Sequence, residues 1–128
     1  MVIDSFGAIY YSSQDNTICK ISVDKLSNGP IAGNKFASNS FNDGIAPLAT
    51  FKEPFGLAID ENSALFIADK GNKLIRALSL LTAFVDTVAG RLGSSSIVDG
   101  IGSFASFAEP LSLAWNSLTR ELFVSDTF

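Results

Sequence analysis

The chain has no histidine and a single cysteine among its 128 residues. Without histidine it lacks the commonest metal ligand and the commonest general base near neutral pH. Nucleophilic catalysis by a Cys–His pair is excluded within the chain. Cys19 has no second cysteine to bridge, so the redox compartment is undetermined, and the residue reads as a buried, inert thiol. No apolar run approaches the roughly 20 residues of a membrane span. The N-terminus carries neither a basic region nor a long apolar stretch, so no signal peptide is visible. Basic residues are few and scattered. Nine Lys and Arg stand against 13 Asp and Glu, a net charge of −4. A nucleic-acid surface needs clustered cations to neutralise phosphate, so a nucleic-acid partner is disfavoured.

What is abundant is apolar side chains, 47% of the total, with 17% charged. That is the composition of one globular domain able to bury a core. Residues 51–90 contain four short apolar runs, each cut off by a turn signal, and read as one antiparallel four-stranded unit. The rest of the chain is partial copies of it. At a shift of 56, Asp43, Gly44, Ile45, Ala49, Phe51, Glu53, Pro54, Leu57 and Ala58 fall on Asp99, Gly100, Ile101, Ala105, Phe107, Glu109, Pro110, Leu113 and Ala114. Chance would give on the order of one or two such identities in that window. The same shift sets Ile3, Asp4, Ala8 and Asn16 on Ile59, Asp60, Ala64 and Asn72. Between 18 and 33 the shift becomes 57, and a further slip precedes Leu122. Slips confined to turns, with apolar runs kept in phase, are the mark of a repeated structural unit.

The expected division is a first unit over 1–33, a connection over 34–50, a second unit over 51–90, a connection over 91–106 and a partial third unit over 107–128. Strands are expected at 1–4, 8–12, 18–23, 30–33, 56–60, 64–69, 74–78 and 84–89, with two more after 110. Leu74, Ala77, Leu78, Leu81, Phe84, Val85 and Val88 also fit helical spacing. The matching part of the first unit contains Ser27-Asn28-Gly29-Pro30, which breaks a helix. Two copies share one structure, so strands are chosen. The long polar connections exceed the usual loop length and are expected to hold themselves in place or carry function.

Each candidate for chemistry has a structural alternative. Asp60, Asn116 and Asp4 follow an inner strand and are candidates for a ligand or ion site, or they cap turns as Asx residues. Asp69 and Asp126 end the next strand. The run Asp69-Lys70-Gly71-Asn72 suits a tight turn with positive φ at Gly71. Arg76 is placed to pair with a carboxylate of a neighbouring unit or to stay solvated. Asp60, Asp69, Arg76, Asn116 and Asp126 are thus the candidate surface-binding residues; no catalytic, cofactor or metal residue is assigned. Asp43-Gly44 and Asp99-Gly100 carry oxygen ligands for a cation but lack the alternating acidic run of a calcium loop, so they read as turns. Glu53 and Glu109 recur with the repeat, which fits a role in joining units. The stretch Gly90-Arg91-Leu92-Gly93-Ser94 lacks the ending of a phosphate loop.

These residues resemble the NHL-repeat β-propeller family. The carrying motifs are Pro54, Gly56, Ala58 and Asp60 in one strand, then Leu65 to Asp69, then Gly71-Asn72 with Ile75-Arg76, and Ala89-Gly90 at the end. Ser112, Asn116, Ser13 and Cys19 depart from the pattern at the positions of Gly56, Asp60, Asp69 and Arg76. The resemblance implies an all-β fold of propeller blades, each of four antiparallel strands, in an incomplete ring of about two and a half blades. Blades in such a ring need neighbours. The chain is therefore expected to be a segment of a larger propeller or to self-associate into a ring. Phe51, Phe55, Phe66, Phe104, Phe107, Trp115 and Phe123 are expected to pack between blades, at roughly 1.5–3 kcal/mol for each fully buried ring. The resemblance implies a non-catalytic protein- or ligand-binding scaffold with no cofactor. The alternative it carries is a metal-dependent lyase or hydrolase, as in related six-bladed propellers, with catalytic residues in other blades.

Overall fold

The computed structural model describes residues 1–37, 41–94 and 96–127. The parts of the two long connections at 38–40 and 95, and the last position of the third unit, lie outside the described residues. The fold is all-β, and every pairing is antiparallel. The first sheet is a four-stranded meander of β1 (Val2–Ile3), β2 (Ile9–Ser12), β3 (Ile18–Ile21) and β4 (Asn28–Ala32). Two residues of the first connection form β5 (Gly44–Ile45). The second sheet contains β6 (Pro54–Ile59), β7 (Ala64–Asp69), β8 (Leu74–Ser79) and β9 (Phe84–Gly90), with β5 added outside β9. The third sheet pairs β10 (Pro110–Asn116) with β11 (Glu121–Asp126). The helical reading of 74–88 fails, and the strand reading holds. No helix among the described residues is long and apolar enough to cross a membrane.

The hairpins explain why the chain meanders. Each turns through one left-handed residue just before the returning strand: Gly7, Asn16, Lys25, Ser63, Lys73, Ala83 and Arg120. Short hairpin loops with one left-handed residue match the twist of the strands they join. The turn after β7 differs from expectation in detail. Residues Lys70–Asn72 form a single 3-10 turn, and the left-handed residue is Lys73, with φ 60°. Gly71 is required there for space instead, because a Cβ would lie 2.6 Å from Lys52 Cγ.

The apolar core lies between the first and second sheets. Tyr10 and Ile18 from one side meet Phe51, Leu57, Leu65, Ile67, Leu78 and Val85 from the other. Cys19 is buried as a free thiol. The first connection is held in place rather than loose. Gly33 N–H donates to Ala46 O at 2.9 Å, and Ala46 N–H donates to Ala83 O at 2.8 Å. It adds a fifth strand to a unit expected to have four. Asn42 bridges Thr50, and the equivalent bridge Val98 to Ser106 recurs 56 positions on.

The sheets stand side by side through their first strands. β6 packs beside β1 and β2 on one flank and β10 on the other. Across the first junction, Ser12 Oγ donates to Phe55 O at 2.8 Å, and Glu53 N–H donates to Asn16 Oδ1 at 2.8 Å. Across the second, the rings of Phe66 and Trp115 stack at 5.4 Å, and Trp115 Nε1 donates to Glu61 Oε2 at 2.8 Å. Three of the aromatics expected between units are exposed instead: Phe55 at 62%, Phe104 at 81% and Phe123 at 57%. Phe104 ends the 3-10 turn Gly102–Phe104, which lies beside β9 and leaves the ring exposed. Phe123 occupies the position of Phe66, but no further strand covers its side of the two-stranded sheet among the described residues.

Gly56 sets how close the second and third sheets come. A Cβ there would sit 2.2 Å from Leu111 O. Gly56→Ala is therefore expected to lose about 1–3 kcal/mol by forcing the two strands apart. Urea unfolding measures this, and an unchanged midpoint would contradict the close approach.

Candidate functional site

The densest polar arrangement among the described residues surrounds Arg76. β8 carries this side chain inward, and it is completely buried. Five acceptor contacts use its five N–H donors. Nε donates to Asp43 Oδ1 at 3.0 Å. Nη1 donates to Thr50 O at 2.9 Å and to Asp69 Oδ2 at 2.8 Å. Nη2 donates to Asn42 O at 2.7 Å and to Asp43 Oδ1 at 2.6 Å. The rings of Phe41 and Phe51 lie 4.8 and 5.1 Å from its guanidinium carbon. A planar cation between aromatic faces and two carboxylates is the environment a guanidinium suits and an ammonium does not.

The partners are fixed in turn. Asp69 Oδ1 accepts from Lys52 N–H at 2.7 Å, and Oδ2 accepts from Asn72 Nδ2 at 2.9 Å. Asp43 also accepts from Thr87, at 3.2 Å from its N–H and 3.1 Å from its hydroxyl. The guanidinium thus ties together β7, β8, β9 and the connection that carries β5. Burial pushes the Asp69 carboxyl above its ordinary value, opposed by the donors Asn72, Lys52 and Arg76.

The candidate surface residues fall at two opposite ends of the strands. Asp69 and Arg76 are brought together, but inside the protein, so neither presents a surface in this chain. A charge there is kept by its internal partners, against the cost of excluding water. Asp126 ends β11 as Asp69 ends β7. It accepts from Ala108 N–H at 2.9 Å and from Glu109 N–H at 2.7 Å. It lines a cavity of about 520 Å³ between β11, the second connection and the outer strands of the second sheet.

Asp60 and Asn116 lie at the other end, beside Asp4. Asp60 Oδ1 accepts from Asn62 N–H at 2.9 Å and Ala64 N–H at 2.7 Å. Asn116 Oδ1 accepts from Leu118 N–H at 3.0 Å. Asp4 Oδ1 accepts from Phe6 and Ala8 N–H at 3.0 and 2.9 Å, and its Oδ2 from Tyr10 O–H at 3.0 Å. All three therefore close the first turn of their sheet. Burial works against the Asp4 charge, yet hydrogen bonds from Ala8, Tyr10 and Phe6 hold its carboxyl below the usual value.

Glu53 and Glu109, from successive units, both approach Lys70 Nζ, at 3.9 and 3.6 Å. Their exposure keeps these pairs weak. Asp43, Phe41 and Thr50 were not singled out as partners of Arg76 from sequence. The available signal was the joint recurrence of Asp43 with Asp99 and of Phe51 with Phe107. No group of three His, Cys, Asp or Glu side chains converges to hold a metal among the described residues.

No family model matches the chain. Over 89 residues it is 32% identical to NHL repeat-containing protein 2 of Homo sapiens, a match covering 62% of this chain and 12% of that protein. The protein of the same name from Bos taurus is 30% identical over 89 residues. The chain is thus a distant homologue of NHL-repeat proteins and spans about an eighth of the length of these relatives (12%). Its fold is similar to that of a structural genomics protein of unknown function from Bacteroides thetaiotaomicron. The TM-score is 0.83 at 24% identity, over 94% of this chain and 30% of that one. It is also similar to an auxiliary nutrient binding protein from the same organism, with a TM-score of 0.72 at 16% identity, over 91% of this chain and 32% of that one.

Two outcomes are expected from the buried pair. Arg76→Cys alone strands Asp69 and should cost about 3–5 kcal/mol. Combining it with Asp69→Ser reproduces the residues that the first sheet carries at these positions, Ser13 and Cys19. The double change should cost less than the sum of the single ones by at least about 1 kcal/mol. Strict additivity in urea unfolding would contradict the pairing.

The second outcome is a pH dependence. A carboxyl raised in the folded state binds its proton more readily folded than unfolded. Its contribution to stability is complete below the unfolded value of about 3.9 and is lost as pH rises through the raised value. The stability of the native chain relative to Asp69→Asn should therefore fall with rising pH across that window. A difference that grows with pH would contradict the raised value.

Proposed function

We propose that the chain is a segment of an NHL-type β-propeller whose loop ends form a non-catalytic binding surface for a protein or small ligand. Its units are 1–33, 51–90 and 107–128, joined by the connections 34–50 and 91–106, and further repeat units complete the ring. The observation that carries this reading is the repetition itself. Three sheets stand side by side, and each opens with a turn closed by an Asx side chain at the same end: Asp4, Asp60 and Asn116. Successive turns therefore share one rim, and loops from several units at one rim suit recognition rather than a single catalytic centre. Distant homology to NHL-repeat proteins supports the same reading, as does the fold shared with an auxiliary nutrient binding protein.

The rim offers a place for a ligand. A cavity of about 330 Å³ lies between the first turns of the first and second sheets, lined by Asp4, Ser5, Phe6, Ile59, Asp60, Glu61 and Ser63. Phe6 is 81% exposed there. An exposed ring beside carboxylates suits an amphipathic ligand with donor groups.

Chemical-shift mapping by NMR against a panel of short peptides and oligosaccharides tests the reading. Perturbed amides should cluster at 4–8, 60–64 and 116–121, and Phe6→Ala should weaken the best binder without changing the fold. Ligands that perturb only other surfaces would contradict the assignment of the rim.

A further inference from the structure

One row of side chains crosses each of the first two sheets in the same register. In the second sheet it runs Phe66, Ala77, Asp86. In the first it runs Tyr10, Lys20, Gly29. The repeat matches these rows residue for residue, at a shift of 56 for the first pair and 57 for the others. The first sheet therefore puts a cation where the second has a methyl group, and empty space where the second has a carboxylate. A Cβ built on Gly29 would meet nothing within 4 Å. Side chains two apart on a strand share a face, so Lys20 points the same way as Ile18, into the junction with the second sheet. There the second sheet contributes Leu78, Leu80 and Ala83 to a cavity of about 240 Å³, and the first contributes Tyr10, Lys20 and Ile31. Each wall belongs to a sheet with its full meander of four strands.

Lys20 is the one charged group on these walls among the described residues. Its Nζ sits 5.4 Å from the centroid of the Tyr10 ring. No carboxylate comes within 4.0 Å of it among the described residues. Tyr10 donates its hydroxyl proton to Asp4 Oδ2 at 3.0 Å, so the ammonium is the charged donor left for a ligand. Most of the remaining lining is aliphatic or aromatic. A half-buried ammonium without a counterion, beside an apolar cleft, complements a monoanion with an apolar body. We infer that the cleft binds a small carboxylic acid. Its carboxylate sits on Lys20 Nζ, and its hydrocarbon part lies against Ile31, Leu78 and Leu80. The cavity is smaller than the roughly 300 Å³ at which drug-sized sites begin, which sets the acid at on the order of eight carbons. A lysine that only snorkels lays its stem on apolar surface and needs no cleft beside its head. The second sheet has neither the cation nor the gap, so the feature is not a requirement of the repeat. The inference concerns a different cavity from the rim and does not rest on the binding surface proposed there.

Titration of the full 128-residue chain with sodium octanoate, followed by nitrogen-15 NMR, is the test. Saturable shifts are expected at Lys20, Gly29, Ile31 and 78–83. Octanol has the same hydrocarbon without the charge and should bind at least about tenfold more weakly. Inorganic phosphate has the charge without the hydrocarbon and should not bind. Lys20→Met keeps the stem and removes the charge, so it should weaken octanoate by a similar factor and leave octanol unchanged. Gly29→Leu fills the space beside Lys20 with the charge intact and should weaken both. Equal binding of octanoate and octanol would overturn the inference, as would indifference of octanoate to Lys20→Met. Shifts confined to 4–8 and 60–64 would place the acid at the rim and overturn it too, as would the lack of saturation by about 10 mM.

Discussion

A guanidinium buried on the central strand of the second sheet is the constraint on which the rest depends. Burying a lone cation is expensive, and the cost is offset only when every donor is met and countercharges are close. Arg76 meets both conditions by drawing on segments far apart in the chain: Asp43 and Asn42 before the sheet, Thr50 beside its first strand, and Asp69 at the end of β7. Each contact closes part of the unit. The connection is pulled onto the edge of β9, where it forms β5, and Phe41 and Phe51 are clamped over the charge. Removing the cation would leave Asp69 without its countercharge in a place water does not reach.

The same constraint explains how the units differ. A buried ion pair is costly to break one member at a time and cheap to replace as a pair. The first sheet carries a hydroxyl and a thiol at the two positions, and Cys19 there lies 3.6 Å from Thr17 Oγ1 in a buried contact. The third unit keeps its carboxylates and its bridge. The glycine closing β9 has a counterpart as well. Gly33 and Gly90 have φ values of 104° and 103°, and each leaves no room for a Cβ against the backbone of the turn that opens the neighbouring strand. What recurs between the first two units is therefore the close approach of backbone at these glycines, while the buried ion pair of the second is replaced as a pair in the first.

The order of strands was legible because turns and apolar runs repeat in phase, and the repeat settled the helical alternative at 74–88. Phe51 was legible as core because its counterpart Phe107 recurs beside Glu and Pro. The strand β5 was not legible, since two residues carry no period and the pairing depends on β9, 41 positions away (Gly44 with Val85). The partnership of Asp43 with Arg76 was hidden for the same reason. Asp43-Gly44 reads as a turn until its distant cation is known, and the contact spans 33 positions. Exposure of Phe55, Phe104 and Phe123 could not be read from size, because which face of a sheet is covered depends on its neighbours. The candidate residues split in the same way. Asp60 and Asn116 were recognisable as turn-closing Asx residues from local spacing alone, whereas the burial of Asp69 and Arg76 is a property of the assembled sheet.

Hydrogen exchange at the Arg76 Nε–H, followed by nitrogen-15 NMR, tests the central claim most directly. The account predicts a resolved, strongly protected signal that exchanges only when the whole domain unfolds, with the same denaturant dependence as the β7 and β8 amides. A rapidly exchanging signal, at the rate of a solvated guanidinium, would show that the charge is not enclosed and would contradict the account.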